Sequence, residues 1–155
     1  VALHEDEQGV VWIATMGGLA KVERGIVERL RPSPDAPMNE PFNAFASRRL
    51  GGFHVAGTSG LFTWTGFGWR RSDTPGPMMA LAEDGRGRLY GITTAGVAYS
   101  RPTEDEPWTP MPEVEPFAFE ALTLGPQRTV LAGGLRGVFS FDEGRVGAAM
   151  CGGSP

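Results

Sequence analysis

Few residues in this sequence have the types and the spacing that catalysis or metal binding requires. The 155 residues include two histidines, His4 and His54, and one cysteine, Cys151. His4 lies beside Glu5 and Asp6, but a metal site there would need further partners brought by folding, and none has a recognisable spacing. We therefore predict no metal ion and no cofactor.

Three segments contain the small residues of nucleophile or phosphate sites without the surrounding context. Residues 57–60, Gly-Thr-Ser-Gly, superficially resemble a nucleophile elbow, but the strand-to-helix setting is missing and the second glycine comes one position early. Residues 133–137 are not followed by the Lys-Ser/Thr pair of a phosphate loop. Cys151 lies in a glycine-rich tail and is more simply incidental than a nucleophile. The sequence thus predicts no catalytic residue and favours a protein that is not an enzyme.

Bulk composition excludes further classes of function. The net charge of −4 disfavours a nucleic-acid partner, because a phosphate backbone needs a basic surface. No apolar run is long enough to span a membrane, and a single cysteine cannot form an internal disulfide. The 23 glycines and 13 prolines predict many tight turns.

The sequence contains a repeat of about 40 residues. Four segments that start at Leu3, Phe45, Leu81 and Leu122 align without gaps. A glycine-aliphatic pair closes each segment, at residues 18–19, 60–61, 96–97 and 137–138, so the copies are 42, 36 and 41 residues apart. This spacing is that of one four-stranded propeller blade.

Each copy reads as short strands separated by turns. In the first copy, the strands are predicted at residues 3–6, 10–14, 19–22 and 26–30. Asp6 and Asp84 occupy the same turn of different copies, where a carboxylate accepts backbone N–H bonds. The sequence therefore predicts an all-β fold, a β-propeller of four-stranded antiparallel blades. An unrelated sandwich with coincidental glycine spacing is the alternative.

The first copy resembles a known repeat. Its pattern Glu-Asp-x-x-Gly-x-x-Trp-Ile-Ala-Thr-x-x-Gly-Leu over residues 5–19 is similar to the two-component regulator propeller repeat. Ala14 stands where that family usually has glycine. The third copy keeps Asp84 with Tyr90 in place of tryptophan, whereas the second has His54 there, which predicts a structural slot for this histidine. The resemblance covers residues 1–147, although virginiamycin-lyase-like and Asp-box propellers share parts of the pattern.

The resemblance implies a sensing or interaction module, often periplasmic, on a larger protein. A periplasmic or extracellular location is therefore expected. We place the blades at residues 1–42, 43–78, 79–118 and 119–147, followed by a glycine-rich tail at 148–155.

Four blades are predicted to form an incomplete ring, because an open arc leaves an apolar face bare at each end. The expected partner is protein: a second copy of the chain, missing blades or a larger complex. A tight four-bladed ring is the alternative.

A binding surface is expected on the loops at one end of the blades. One set is the connectors between blades, at residues 31–42, 72–78 and 110–118. The other is the turns between second and third strands, which carry Met16, Ser59, Thr94 and Arg136. Of the longest connector, Met38, Asn39 and Phe42 are the expected partner contacts, unless that segment is only a stiff spacer.

Three functions remain open on the sequence. The leading hypothesis is a non-catalytic propeller module for protein–protein interaction or ligand sensing. The second is a structural accessory subunit of a larger complex, such as one associated with a membrane. The third, a propeller lyase or hydrolase with a site in the central funnel, is disfavoured by the small or apolar inner positions, such as Ala44, Ala80 and Ala121.

Overall fold

The computed structural model describes the backbone of residues 1–34 and 40–152 and the side chains of residues 1–34 and 40–147. The chain divides into two compact units, Val1–Pro77 and Met78–Pro155. Within the described residues, no helix has the length and apolarity that crossing a bilayer would require.

The first unit contains two sheets, each made of four consecutive strands. The first sheet has the order β1-β2-β3-β4 and the second the order β5-β6-β7-β8, with antiparallel pairing throughout. The strands are β1 (Ala2–Glu5), β2 (Val11–Thr15), β3 (Gly18–Glu23), β4 (Ile26–Leu30), β5 (Phe42–Ser47), β6 (Phe53–Gly57), β7 (Gly60–Trp64) and β8 (Trp69–Ser72).

The second unit repeats this arrangement. It contains the third sheet, of order β9-β10-β11-β12, and the fourth sheet, of order β13-β14-β15-β16, and neighbouring strands are again antiparallel. The strands are β9 (Met78–Glu83), β10 (Leu89–Thr93), β11 (Ala98–Arg101), β12 (Thr109–Pro110), β13 (Ala121–Leu124), β14 (Val130–Gly134), β15 (Gly137–Asp142) and β16 (Arg145–Gly152). The predicted all-β fold of four-stranded antiparallel propeller blades is confirmed.

Two predicted boundaries need correction. β16 runs to Gly152, so residues 148–152 pair with β15 rather than starting a tail. Phe42 is the first residue of β5 rather than the last of a connector. In both cases hydrogen bonding to the neighbouring strand extends the strand, which local composition does not reveal.

The predicted turn role of the aspartates is confirmed. Asp6 Oδ1 accepts the backbone N–H groups of Gln8 and Val10, at 2.9 and 3.0 Å. Asp84 Oδ1 accepts those of Arg86 and Arg88, at 2.8 and 3.0 Å. These bonds fix the turn between the first and second strands of the first and third sheets.

Aromatic side chains pack the two sheets of the first unit together. Trp12 contacts Phe53 and Trp69 of the second sheet, with ring centroids 4.8 and 5.8 Å apart, and its Nε1 donates to Asp6 Oδ2 at 2.9 Å. In the second unit, Tyr90 at the aligned position packs on Phe141 at 5.2 Å. One slot of the repeat therefore supplies the inter-sheet core of each unit.

Candidate functional site

The strand order places two loop sets at the same end of each sheet. In a four-strand meander, the turn between the second and third strands lies at the end where the connector to the next sheet leaves. We call this the connector end and the other the hairpin end. The sequence predicted that the connectors and these turns meet, and within each unit they do.

In the first unit, Glu40 joins the connector to the turn between β6 and β7. Its side chain is only 3% exposed, and Oε1 accepts from Thr58 Oγ1 at 3.0 Å and from the Ser59 N–H at 2.5 Å. Arg71 donates to the Ser59 carbonyl from the other side. Ser59, a predicted contact residue, is therefore exposed in a turn that is held from two directions.

The prediction that Phe42 faces a partner is wrong. Phe42 is buried and its ring packs against Phe62. Gly57 makes room for it, since a Cβ there would lie 2.8 Å from the Phe42 ring. Met38 and Asn39, the other residues predicted on this connector, lie outside the described residues.

Met16 and Thr94 are exposed in their turns, as their positions in the repeat predict. Met16 is in the turn between β2 and β3, which Thr15 Oγ1 closes by accepting the Gly17 N–H at 3.0 Å. Thr94 is in the turn between β10 and β11. Neither residue lines the groove between the connector 110–118 and the turn that carries Arg136.

In the second unit, residues 111–120 fold over the turns of both sheets. The Phe117 N–H donates to the Gly96 carbonyl at 2.9 Å, and the Glu120 N–H donates to the Gly133 carbonyl at 3.0 Å. Gly134 lies so close to Ala118 that a Cβ would stand 2.1 Å from the Ala118 carbonyl oxygen. The repeat marked Gly96 as part of a glycine-aliphatic pair, but the sequence did not reveal that a connector lies on these glycines.

This connector and the turn between β14 and β15 enclose a groove of about 320 Å³, which we call the connector groove. Arg136, a predicted contact residue, is in its wall. Six other lining residues belong to the connector 110–118, which was predicted to carry a binding surface, and three were not named: Phe119, Leu135 and Val146. The lining is Glu113, Val114, Glu115, Pro116, Phe117, Ala118, Phe119, Leu135, Arg136 and Val146.

Two large apolar side chains stand exposed around the connector groove. Phe117 is 65% exposed and Leu135 is fully exposed. Phe117 also has a φ of +63°, a left-handed conformation that is unfavourable for a bulky residue. Its ring covers Gly96, where a Cβ would lie 2.6 Å away. The fold thus holds an aromatic side chain in a strained position facing solvent, a feature that clusters at binding sites.

The charges of the connector groove are unevenly placed. Glu113 and Glu115 belong to the connector, and Arg136 belongs to the opposite turn. Glu113 Oε1 accepts the Val146 N–H at 3.3 Å, which ties the connector to β16. Glu115 and Arg136 are exposed.

A second groove, of about 460 Å³, lies at the hairpin end of the same unit. Its walls include Arg86 and Arg128, and each of them contacts a residue of the neighbouring sheet. Arg86 pairs with Glu143 at 2.8 Å, and Arg128 donates to the Glu83 carbonyl at 3.0 Å. This groove is polar, and its cations already serve to join the two sheets.

The two histidines have structural surroundings. His54 is fully buried, and its Nδ1 lies 2.8 Å from Thr63 Oγ1 on the neighbouring strand, as expected of a residue in the Trp12 slot. His4 packs on Phe53 with ring centroids 5.0 Å apart. Burial lowers the pKa of His4, and the nearby carboxylates of Glu7 and Asp6 partly oppose this.

The fold relates this chain to known proteins more clearly than its sequence does. No family model matches the sequence, and no curated protein matches it. Among solved structures, it is similar to the extracellular domain of a putative one-component system from B. thetaiotaomicron, with a TM-score of 0.69 and 16% identity. That match covers 90% of this chain and 20% of the other.

Two further solved structures are similar to this chain. YCF48 bound to D1 peptide has a TM-score of 0.58 and 17% identity over 88% of this chain and 50% of that one. Virginiamycin B lyase from Staphylococcus aureus has a TM-score of 0.67 and 12% identity over 92% of this chain and 52% of the lyase. The chain thus spans between a fifth and about half of these proteins, and at such identities the likeness shows the fold alone.

Proposed function

We propose that this chain is a non-catalytic propeller module that binds a protein or senses a ligand, and that the connector groove is its binding site. The observation that carries the proposal is the pair of exposed apolar side chains, Phe117 and Leu135, beside the groove, with Phe117 held in a left-handed backbone conformation. An exposed apolar pair rimmed by charges is typical of an interaction site.

The surroundings of the chemically capable residues support a role without catalysis. His54 is buried against Thr63, and Asp6 and Asp84 fix turns. Each of these groups is used by the fold, whereas a general acid or base needs access to a substrate. A lyase or hydrolase remains the competing hypothesis, because virginiamycin B lyase shares the fold.

The similarity to an extracellular domain of a one-component system supports a location outside the cytoplasm. In that setting the chain acts as part of a larger receptor or complex. Its partner is protein: a second copy, further blades or another subunit.

Selection from a library of random heptapeptides tests this function. Wild-type protein should enrich peptides that lose binding to Leu135→Ser, because the substitution removes the apolar wall of the groove. Leu50→Ser is the matched control, since Leu50 is 67% exposed in the turn between β5 and β6 of the other unit. Failure to enrich any peptide that distinguishes the two variants would contradict the proposed site.

A further inference from the structure

We infer that the connector groove takes a short peptide segment in which a bulky apolar side chain is next to a lysine or arginine. This inference rests on the proposed function and specifies its ligand. The volume, the backbone stiffness and the charge of the groove each support this ligand.

The volume of the groove limits its occupant. Pockets for small ligands range from about 300 to 1,000 Å³, so a groove of about 320 Å³ is at the small end. It can hold one or two side chains rather than a folded element. The buried Val114 and Phe119 and the exposed Phe117 and Leu135 form the apolar part of its lining, against which an apolar side chain can pack.

The connector is stiff before anything binds. Pro110, Pro112 and Pro116 restrict its backbone, and the Ala118 N–H donates to the Glu115 carbonyl at 3.0 Å. The Val114 N–H likewise donates to the Met111 carbonyl at 3.1 Å. A preorganised site loses less entropy on binding, so a short segment can bind measurably despite its small contact area.

The negative charge of the connector favours a basic residue next to the apolar residue of the bound peptide. Residues 110–120 contain three glutamates, Glu113, Glu115 and Glu120, and no lysine or arginine. Arg136 on the opposite turn is the one cation in the groove lining. A peptide that lies along the connector therefore meets a net negative wall, and complementarity favours a cationic side chain beside the apolar one.

Arg136 is a possible partner for a peptide with an acidic residue instead, so such a peptide is the comparison to test. A peptide with an acidic flank could pair with its guanidinium, although it would then lie next to Glu113 and Glu115. The carboxylates outnumber the guanidinium, so we expect the basic peptide to bind more tightly.

Fluorescence polarisation with two labelled peptides tests the inference. The probes are Gly-Lys-Leu-Phe-Lys-Gly and Gly-Glu-Leu-Phe-Glu-Gly, each acetylated and amidated. The basic peptide should bind with a dissociation constant several-fold lower than that of the acidic peptide, and the difference should shrink as salt is raised. Equal binding, tighter binding of the acidic peptide or no binding of either overturns the inference.

Two pairs of variants assign the binding to the groove. Glu115→Gln should weaken binding of the basic peptide about two- to five-fold, as expected of an exposed charge pair. Its control is Glu106→Gln, an exposed glutamate between β11 and β12 at the other end of the third sheet. Leu135→Ser should weaken both peptides about tenfold, with Leu50→Ser as its control. If the Glu115 and Glu106 variants bind the basic peptide equally, the charge selection is wrong.

The two proposals fail in different ways. If the library yields peptides that depend on Leu135 but carry no excess of lysine or arginine, the groove binds peptides and only the charge inference is lost. If the library yields none, the proposed function itself is contradicted.

Discussion

At the scale of single residues, the aspartates at the first turn of the first and third repeats show how local chemistry determines local structure. Asp84 is 8% exposed, and its Oδ1 accepts two backbone N–H groups within four residues. Both partners are close in sequence, so the contact depends on residues of the turn itself. This is why the turn role could be predicted from spacing alone.

Replacement of Asp84 by alanine should destabilise the protein by about 1–3 kcal/mol, because two N–H groups lose a buried acceptor. Asp105→Ala, at an exposed position, should change the free energy of unfolding by less than about 0.5 kcal/mol. Urea unfolding followed by circular dichroism measures both. Equal effects of the two substitutions would rule out the turn role.

The ionisation of Tyr90 makes the stability of the protein depend on pH. It is fully buried, and burial raises its pKa to about 12, although its hydroxyl accepts the Gly144 N–H at 2.9 Å. In the unfolded chain tyrosine ionises near pH 10. Between about pH 10 and 12 the unfolded state therefore loses this proton first, which favours unfolding.

Stability should fall as the pH rises from about 10 to 12, and Tyr90→Phe should remove that part of the dependence. Unfolding midpoints measured across this range test the effect. Absorbance of the folded protein at alkaline pH follows the phenolate directly. Ionisation of Tyr90 near pH 10 in the folded protein would contradict the expectation.

At the scale of elements, the second-unit connector depends on glycines in the turns beneath it. Gly96 and Gly134 leave space for Phe117 and Ala118, where a Cβ would collide. The neighbouring Gly133 has open space at the corresponding position. Of these two adjacent glycines of β14, only Gly134 is needed for the close approach of the connector, although the sequence does not distinguish them.

Gly134→Ala should displace the connector and destabilise the protein by about 1–3 kcal/mol, because the new methyl group overlaps the Ala118 carbonyl. Gly133→Ala should be neutral or slightly stabilising, since it meets nothing and restricts the unfolded chain. Thermal unfolding compares the two. Binding to the connector groove should also weaken in Gly134→Ala alone, and an equal loss in Gly133→Ala would show that the contact does not position the groove.

At the scale of the whole molecule, the outer face of the first sheet is notable. Side chains alternate between the faces of a strand, so Leu3 and Val27 lie on the face opposite to His4 and Trp12. Both are about two-thirds exposed. Their equivalents 42 residues later are Phe45 and Trp69, which pack on His4 at 5.8 Å and on Trp12 at 5.8 Å. The first sheet therefore carries an apolar face of the kind that docks a neighbour in the second.

We expect this face to associate with a second copy when the chain is studied alone. Sedimentation should show a mass that rises with concentration, and Val27→Glu should weaken the association by about tenfold. Ile26→Glu is the control, because Ile26 is equally exposed on the same strand but points to the other face. A concentration-independent monomer would count against an open blade face.

The sequence by itself determined the repeat, the class of four-stranded antiparallel blades, the strands of the first copy, the turn aspartates and the end of the sheets at which the loops meet. These follow from residues that are neighbours in the chain or one repeat apart, so their chemistry is visible in order and spacing. The role of His54 as a packed residue in the Trp12 slot was predictable for the same reason.

Only the tertiary structure decided which loop residues face outward. Phe42 was predicted to contact a partner but is buried, because Gly57 of a strand 15 positions later leaves a space for its ring. Phe117 lies in a connector that was predicted to carry a binding surface, but the residue itself was not named. It is exposed because its ring lies on Gly96 and its N–H donates to the Gly96 carbonyl. Whether an aromatic side chain in a connector packs inward or faces solvent depends on the residues that fold against it, and these are distant in the sequence.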